Sequence, residues 1–333
     1  MKKAYIKDIE IFLPSTILSN DDLVKSDPNW NAEKILDKVG IQSRHVASLD
    51  ESSYTLALNA CKALLSKCPK YAQQIDYVLY STLNHEHFML SSAALLHKQL
   101  GLKSQCGVMD FKLPCTGYLQ LLSIAQALIE SGAGNNILVV TADTYSKRIP
   151  DIDIRTKSIF GDAATATIIS DYGFAEILHC THGTEGEGSL LHVIRTKCIP
   201  SFETNNIPGS ALEVEVNPRD FYMIGSEIFN FATEYIPREY YRFLESTGIP
   251  ENEISYYIFH QANKFMLTYI RKRLGIAENR FYIDMHDVGN TSTSSIPIAL
   301  YRTRQKSEST GLTLLCSFGG GYTWAFCLID MNG

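Results

Sequence analysis

Short apolar runs alternate with longer amphipathic stretches along most of this chain. The runs Tyr77–Ser81, Ile137–Thr141 and Ala164–Ile169 are rich in Val, Leu, Ile and Thr, which is typical of buried strands. The stretches Ser53–Ser66 and Ser92–Gln99 instead show the spacing of apolar residues that helices show. This alternation predicts an α/β fold in which helices cover both faces of buried sheets.

The same order of elements occurs a second time in the C-terminal part of the chain. The pattern predicts a helix, a strand, a helix, another helix and two strands, over about Gly225–Leu244, Tyr257–Phe259, the stretch ending at Leu274–Ile276, Asn290–Arg302, Leu312–Cys316 and Trp324–Ile329. We therefore predict two pseudo-symmetric halves, residues 1–175 and 225–333. Residues 176–224 connect them, and their part Thr181–Asp220 is rich in Gly, Pro and Asn, which predicts an irregular segment that walls a tunnel.

Charge and cysteine usage exclude several classes of protein. A net charge of −6 argues against nucleic acid as the main partner. The chain has no apolar run of membrane-spanning length, and its N-terminus lacks the core of a signal peptide, so we expect no membrane insertion and a cytoplasmic protein. The eight cysteines form no C-x-x-C pair, and His85 and His87 match no ligand motif. We therefore expect reduced thiols and no metal site.

Cys115 is the most informative single residue, because it lies between an apolar run and a predicted helix. Free backbone N–H groups and the helix dipole at that position favour a thiolate, which is the nucleophilic form. The alternative is a buried cysteine that acts as a small hydrophobic residue. We predict that Cys115 is a nucleophile.

Two further polar positions complete the requirements of acyl transfer through a thiol. His260 ends a predicted strand, and Asn290 opens a helix at the position that corresponds to Cys115 in the other half, so a pseudo-twofold would bring them to one central site. The run Gly319–Gly321 brings bare backbone N–H groups close to a ligand and suits an oxyanion hole. Each feature also has a structural interpretation, as a core histidine, a helix cap and a tight hairpin.

The motifs around these residues resemble those of the β-ketoacyl-acyl-carrier-protein synthase III family of condensing enzymes. The resemblance covers nearly the whole chain and is clearest at Cys115–Tyr118, Phe160–Ala164, His260–Asn263, Gly289–Ser292 and Phe318–Trp324. It implies a thiolase-like fold whose two halves form a layered αβαβα core. It also implies phosphopantetheine thioester substrates and no cofactor.

The resemblance implies a role for each residue of the constellation. Cys115 would take an acyl group from a thioester, and the backbone N–H groups of Cys115 and Gly320 would form the oxyanion hole. His260 and Asn290 would hold the thioester oxygen of a malonyl group and stabilise the enolate left by loss of CO₂. Phe318 would shield the site and favour decarboxylation.

The resemblance also implies binding residues and partners. The partners would be an acyl carrier protein, an acyl-CoA or acyl-carrier-protein donor, malonyl-carrier protein and a second copy of the chain in a homodimer. The matching positions are Asn263, Gly225 and Phe229 along the pantetheine channel, Lys272 and Arg273 for carrier-protein docking, and Leu90 across the dimer interface. A solvated helix face is the alternative for Lys272 and Arg273.

Two positions depart from the pattern of members that use acyl-CoA. Lys34 stands six residues before Gly40, where those members have Trp, and Ile154 stands six residues before Phe160, where they have an Arg that stacks on adenine. Arg155 follows directly. An adenine clamp that is lost or rebuilt is therefore expected, which leaves both acyl-CoA and carrier-protein donors open, in fatty acid synthesis or in a specialised acyl or polyketide pathway.

Three alternative functions remain at this point. The first is an acyltransferase of the same fold that moves an acyl group to an alcohol, amine or sugar, and the intact His260–Asn290 pair favours carbon–carbon bond formation over it. The second is a thiol hydrolase, since papain-like proteases also use Cys, His and Asn in this chain order, although their motif around the cysteine is absent. The third is a non-catalytic subunit of a heteromeric pair, which the presence of Cys115 disfavours.

Overall fold

A computed structural model of the chain describes residues 2–25, 27, 29–86, 89–186, 192–194, 221–305 and 310–331. Most of the predicted connecting segment, residues 187–191 and 195–220, lies outside these ranges, so the expectation of a tunnel wall falls on residues that the structure does not describe. Among the described residues, no helix has the combination of length and apolar character that crossing a membrane requires.

The N-terminal half contains the predicted strands and helices, preceded by one further strand of the main sheet and by a segment whose two short strands form a small sheet of their own. Its elements are β1 (Tyr5–Phe12), β2 (Thr16–Ser19), α1 (Asn20–Val24), α2 (Ala32–Val39), β3 (Ser43–Val46), α3 (Ser53–Lys67), β4 (Tyr77–Ser81), α4 (Ser92–Leu100), β5 (Gly107–Phe111), α5 (Gly117–Glu130), β6 (Asn136–Asp143), α6 (Ile154–Lys157) and β7 (Ala163–Ser170).

The remaining elements belong to the connection and to the C-terminal half. They are β8 (Ala175–Thr184), β9 (His192–Ile194), β10 (Phe221–Met223), α7 (Gly225–Thr247), β11 (Ile254–Phe259), α8 (Lys264–Arg273), β12 (Phe281–Tyr282), α9 (Ser295–Gln305), β13 (Leu312–Gly319) and β14 (Thr323–Asp330). The prediction that the chain is irregular from Thr181 is wrong for its first residues. They continue β8, because β14 pairs with that strand as far as Thr184.

The strand order shows the predicted repeat. The strands form one ten-stranded sheet in the order β5-β4-β6-β7-β1-β8-β14-β13-β11-β12. In the first half β4 lies parallel to β5 and β6, and β7 is antiparallel to both β6 and β1. In the second half β11 lies parallel to β12 and β13, and β14 is antiparallel to both β13 and β8. Within this sheet the described strands of the two halves pair with each other only at Tyr5↔Glu176 and Ile6↔Ala175, so each half forms one five-stranded layer.

Helices cover these two layers in the predicted αβαβα arrangement. Helices α5 and α9 lie between the halves, where Leu122 and Ala299 belong to one buried cluster with strand residues of both layers. Helices α3 and α4 pack on the outer face of the first layer, and α7 and α8 on the outer face of the second. The apolar stripe of α3, which includes Leu56, Ala60 and Leu64, is buried for this reason. The predicted thiolase-like fold is therefore confirmed.

The contact between the halves determines where the central helices begin. The backbone of Asn290 is held to the first half, since its N–H donates to the Ile159 carbonyl at 2.8 Å and its carbonyl accepts from Gly161 N–H at 3.0 Å. A Cβ at Gly161 would lie 2.1 Å from the Val288 carbonyl oxygen, so only glycine permits this approach. The start of α5 meets the same segment, since a Cβ at Gly117 would lie 3.0 Å from Thr293 Cγ2.

Candidate active site

One cavity of about 610 Å³ opens at the junction of the two halves. Eight of the predicted site residues line it, namely Cys115, Gly225, Phe229, His260, Asn263, Asn290, Phe318 and Gly320. The structure therefore brings together the three residues predicted to carry the chemistry and most of those predicted to bind the substrate.

Cys115 lies two residues before the first residue of α5 and keeps part of its surface open to the cavity. Burial raises the pKa of its thiol to about 12, while the Ser292 hydroxyl and the N–H groups of Cys115 and Gly320 oppose the rise. Burial therefore opposes the thiolate that the helix N-terminus was expected to favour, because loss of hydration acts against the nearby donors. A nucleophilic role for Cys115 would then require removal of the thiol proton.

His260 follows β11 and is buried against the side of the cavity. Its Nδ1 lies 2.7 Å from Ser295 Oγ, and the same oxygen accepts from Gln261 N–H at 3.4 Å. With the Ser295 hydroxyl as the donor to Nδ1, Nε2 is the N–H donor of the ring. Burial lowers the pKa of His260 to about 3, so the imidazole is neutral at neutral pH.

Asn290 presents its amide in a defined orientation. Its Oδ1 accepts from Ser292 N–H at 2.9 Å, so the Nδ2 group is the one that remains to donate to a ligand. The single turn Ser292–Ser294 separates Asn290 from α9. The prediction that Asn290 opens its helix as Cys115 does is therefore wrong in detail, since a 3₁₀ turn intervenes before α9 begins.

The glycine run after β13 brings backbone against the nucleophile. A Cβ at Gly319 would lie 2.8 Å from both Cβ and Sγ of Cys115, so a larger residue has no room there. Phe318 is buried and meets the His260 ring edge to face, with the ring centroids 5.8 Å apart. Tyr322, which has the left-handed φ of 49°, stacks on Phe231 at 4.4 Å between centroids, and this contact holds the turn in place.

The outer part of the cavity is aromatic. Phe229 of α7 stacks on Phe265 of α8 with centroids 5.5 Å apart, and Phe265 is 61% exposed at the mouth. Asn263 caps α8 by accepting from Met266 N–H at 2.9 Å, so its side chain also has a purely structural task. A Cβ at Gly225 would meet no atom within 4 Å, so no steric contact in the free protein requires glycine at this position.

Three predicted residues lie away from the cavity lining. Leu90 is 49% exposed beside the exposed Met89, in front of α4. Lys272 and Arg273 are exposed in the last turn of α8, where cations also complement the helix dipole. Of the two residues that depart from the acyl-CoA pattern, Lys34 is exposed on α2 and Ile154 is buried at the start of α6.

Sequence reasoning missed several polar groups behind the cavity. Asp143 at the end of β6, Ser292 and Ser295 are all buried and hydrogen-bonded around the reacting residues. A carboxylate at the carboxyl end of a buried apolar strand is the signal that points to Asp143. Within the described ranges, no group of three His, Cys, Asp or Glu side chains is arranged to hold a metal ion.

Comparisons with known proteins agree with this geometry. Profiles described as 3-oxoacyl-(acyl-carrier-protein) synthase III and its C-terminal part match residues 109–186 and 244–331. A β-ketoacyl-(acyl-carrier-protein) synthase III of Lactococcus lactis subsp. cremoris is 32% identical over 339 residues, which cover 99% of this chain and 100% of that protein. The chain belongs to the β-ketoacyl-(acyl-carrier-protein) synthase III family.

Solved structures of similar proteins support the family assignment. A 3-oxoacyl-(acyl-carrier-protein) synthase III is 35% identical, with a TM-score of 0.91 and coverage of 98% of this chain and 99% of that one. A 3-oxoacyl-(acyl-carrier-protein) synthase from Burkholderia xenovorans is 28% identical, with a TM-score of 0.89 and coverage of 98% and 94%. The resemblance identified from the motifs is confirmed, and the protein is an acyl-transferring condensing enzyme of this family.

Proposed function

We propose that this enzyme joins an acyl group held on Cys115 to the two-carbon unit of malonyl-carrier protein, with release of CO₂ and of a 3-oxoacyl thioester. The observation that carries this proposal is the convergence of one thiol and two neutral donors, His260 and Asn290, on a single cavity. A condensing enzyme needs both, because it first stores an acyl group and then stabilises a carbanion.

In the first step Cys115 Sγ attacks the carbonyl carbon of the donor thioester. The new C–S bond forms as the donor's C–S bond breaks, and the pantetheine thiol leaves with a proton. The N–H groups of Cys115 and Gly320 already act on the sulfur, so they are positioned near the oxygen that becomes negative in the tetrahedral intermediate.

In the second step the malonyl thioester enters the channel vacated by the first thiol. Its thioester oxygen accepts from His260 Nε2 and Asn290 Nδ2, and breaking of the carboxylate C–C bond releases CO₂ and leaves an enolate that both donors stabilise. The enolate carbon then forms the new C–C bond to the acyl carbonyl carbon as the C–S bond to Cys115 breaks, and the released thiolate takes up a proton. A neutral imidazole suits this task, because it favours the enolate oxygen without strongly holding the charged carboxylate. The buried Phe318 ring beside His260 further disfavours the carboxylate relative to CO₂.

Several finer features belong to the same proposal. The donor is an acyl-CoA or an acyl-carrier protein, Asn263, Gly225 and Phe229 contact the pantetheine arm, and no cofactor takes part. Exposed Lys272 and Arg273 dock the acidic carrier protein, which their charge supports.

The proposal also covers the assembly and the location of the enzyme. Leu90 reaches across a homodimer interface, for which the adjacent exposed Met89 supplies further apolar surface. A cytoplasmic location is supported by free thiols at all seven cysteines that the structure describes.

Intact-protein mass spectrometry tests the proposed function. The enzyme is incubated with acyl-CoAs or matching acyl-carrier proteins and then chased with malonyl-carrier protein. An adduct that requires Cys115 and is discharged as a 3-oxoacyl product supports the proposal and identifies the donor. An adduct that malonyl-carrier protein does not discharge would replace it with acyl transfer to another acceptor, and no adduct with any donor would overturn the role of Cys115.

A further inference from the structure

Ser292 lies between the nucleophile and a buried carboxylate that the two-step mechanism does not use. Its Oγ is 4.0 Å from Cys115 Sγ, and its hydroxyl also acts on Asp143 and on Tyr145 and lowers the pKa of each. Both Ser292 and Asp143 are fully buried. A carboxylate only accepts hydrogen bonds, so the Ser292 hydroxyl can interact with Asp143 only as the donor, and a lone pair of its oxygen then remains for the thiol.

The backbone of Ser292 is held in an unfavourable conformation to make this contact. Its φ of 52° lies in the left-handed region, which a serine rarely occupies. Its N–H donates to Asn290 Oδ1 at 2.9 Å, so the same residue orients the amide of Asn290. Strain of this kind persists only where surrounding contacts impose it, and it is concentrated at functional sites.

Asp143 is fixed from both halves of the molecule. Its Oδ1 accepts from Leu83 N–H at 3.0 Å, and its Oδ2 accepts from the Thr293 hydroxyl at 2.7 Å. Thr82 Oγ1 is a further donor, at 3.4 Å. The carboxylate therefore lies at a fixed position behind Ser292, where it can receive a proton without moving.

We propose that Ser292 and Asp143 remove the proton of the Cys115 thiol during acyl loading. The thiol proton passes to Ser292 Oγ as the hydroxyl proton of Ser292 passes to Asp143, and the S–H electron pair forms the new bond to the donor carbonyl carbon. The pantetheine sulfur leaves with the electrons of the old C–S bond and takes a proton through the same path, which regenerates the carboxylate. This inference rests on the proposed role of Cys115 as the acyl acceptor.

His260 is a poorer candidate for this task. Its Nδ1 is occupied by Ser295, and the low pKa of its ring makes it a weak base. Burial instead raises the pKa of Asp143 to about 6, so the carboxylate is ionised at neutral pH and is more basic than an ordinary aspartate. The titratable groups that act on Asp143 or its relay are Cys115 and the buried hydroxyls of Tyr145 and Tyr80.

The test is the rate at which the neutral reagent iodoacetamide alkylates Cys115, measured by peptide mass spectrometry from about pH 5 to about pH 9. This readout needs no acyl donor, so it separates failure of the relay from failure of the proposed condensation. In the wild type we expect the rate to rise as Asp143 loses its proton, with an inflection near pH 6. In Asp143→Asn we expect a rate about 100-fold lower at neutral pH and no such inflection.

The sign of the effect distinguishes a proton acceptor from a passive charge. The negative charge of Asp143 alone raises the pKa of Cys115, so removing a passive charge would speed alkylation. An Asp143→Asn enzyme that alkylates as fast as the wild type or faster overturns the proposal. Asp162→Asn is the matched control, since Asp162 is equally buried and accepts from Ala47 N–H and Ser146 but does not face the thiol.

Ser292→Gly keeps the proposal testable if Asp143→Asn does not fold. Glycine accepts the left-handed φ without strain, so this variant removes the hydroxyl and relieves the backbone. We expect it to fold at least as stably as the wild type and to lose the inflection near pH 6. Wild-type alkylation kinetics in Ser292→Gly would overturn the relay.

Discussion

The two halves of this enzyme share one strand order but start their central helices differently. In the first half Cys115 is followed almost directly by α5, whereas in the second half a 3₁₀ turn separates Asn290 from α9. The extra turn carries Ser292 in its left-handed conformation and places its hydroxyl beside the sulfur. The repeated fold therefore supplies the symmetry, and a local difference of one turn distinguishes the two positions for which we propose different chemical roles.

The halves also differ in how burial acts on their titratable groups. Burial raises the pKa of Cys115 to about 12 and that of Asp143 to about 6 in the first half. In the second half it lowers the pKa of His260 to about 3. The first half thus holds a neutral thiol beside a base, and the second half holds two neutral donors. This arrangement suits acyl loading on one side and enolate stabilisation on the other.

Removal of the proposed nucleophile should have the largest effect on the difference between the two halves. We expect Cys115→Ala to abolish acyl loading, because no other group in the described cavity lining is a thiol. Intact mass after incubation with the donor measures this directly. Cys106→Ala is the control. Cys106 is a partly buried thiol that precedes β5, whereas the cavity-lining residues Lys112–Cys115 follow that strand. Loading that survives in Cys115→Ala would move the nucleophile elsewhere.

Variants of His260 and Asn290, the two proposed hydrogen-bond donors, should fail at the condensation step. We expect His260→Ala and Asn290→Ala to load acyl groups but to lose about 100- to 1000-fold in condensation rate, as when one oxyanion donor is removed. Single-turnover loading followed by a malonyl-carrier-protein chase separates the two steps. Normal condensation by either variant would contradict the roles assigned to the pair.

A substitution that disturbs the close approach of Gly319 to the Cys115 sulfur should have a smaller effect on acyl loading. A Cβ at Gly319 would lie 2.8 Å from Cys115 Sγ, so Gly319→Ala must displace the thiol or the loop. We expect acyl loading to slow by about tenfold, in keeping with the sensitivity of rates to misplacement. Gly186→Ala is the control, because a Cβ there meets no atom within 4 Å. Equal loading rates in both variants would show that the site tolerates the shift.

The sequence predicts the fold well because the fold depends on periodicity. The apolar runs correctly indicate β4, β6 and β13, since strands covered on both faces must be apolar throughout. The grouping of Cys115, His260 and Asn290 follows from the repeated order of elements. The state of the thiol could not be predicted, because hydration depends on atoms that only the folded chain brings around it.

The buried polar groups of the proposed relay were missed for a similar reason. Asp143 and Ser292 lie far apart in the sequence, and although Asp143 follows an apolar run, no periodic pattern relates it to Ser292. Their relation depends on the packing of one half against the other and on a single left-handed residue. Buried polar groups of this kind are where local sequence rules fail first.

The smallest expected effect concerns stability, and it tests the electrostatic difference between the halves. Between pH 3.8 and about 6 the folded chain holds a proton on Asp143 that the unfolded chain has lost, so this group lowers the free energy of unfolding as the pH rises. Between about pH 3 and pH 6.5 the unfolded chain holds a proton on His260 that the folded chain excludes. This group therefore increases the free energy of unfolding as the pH rises. In the shared window the two slopes, each at most about 1.4 kcal/mol per pH unit, oppose each other.

Urea unfolding at several pH values in this window reveals the two slopes separately. We expect Asp143→Asn to gain stability with rising pH more steeply than the wild type, because only the histidine slope remains. His260→Ala should show the opposite change, because only the carboxylate slope remains. Since the comparison uses slopes and not absolute stabilities, any cavity that the alanine leaves does not affect it. Parallel curves for all three proteins would mean that the two groups are hydrated in the folded state, and the electrostatic distinction between the halves would then be wrong.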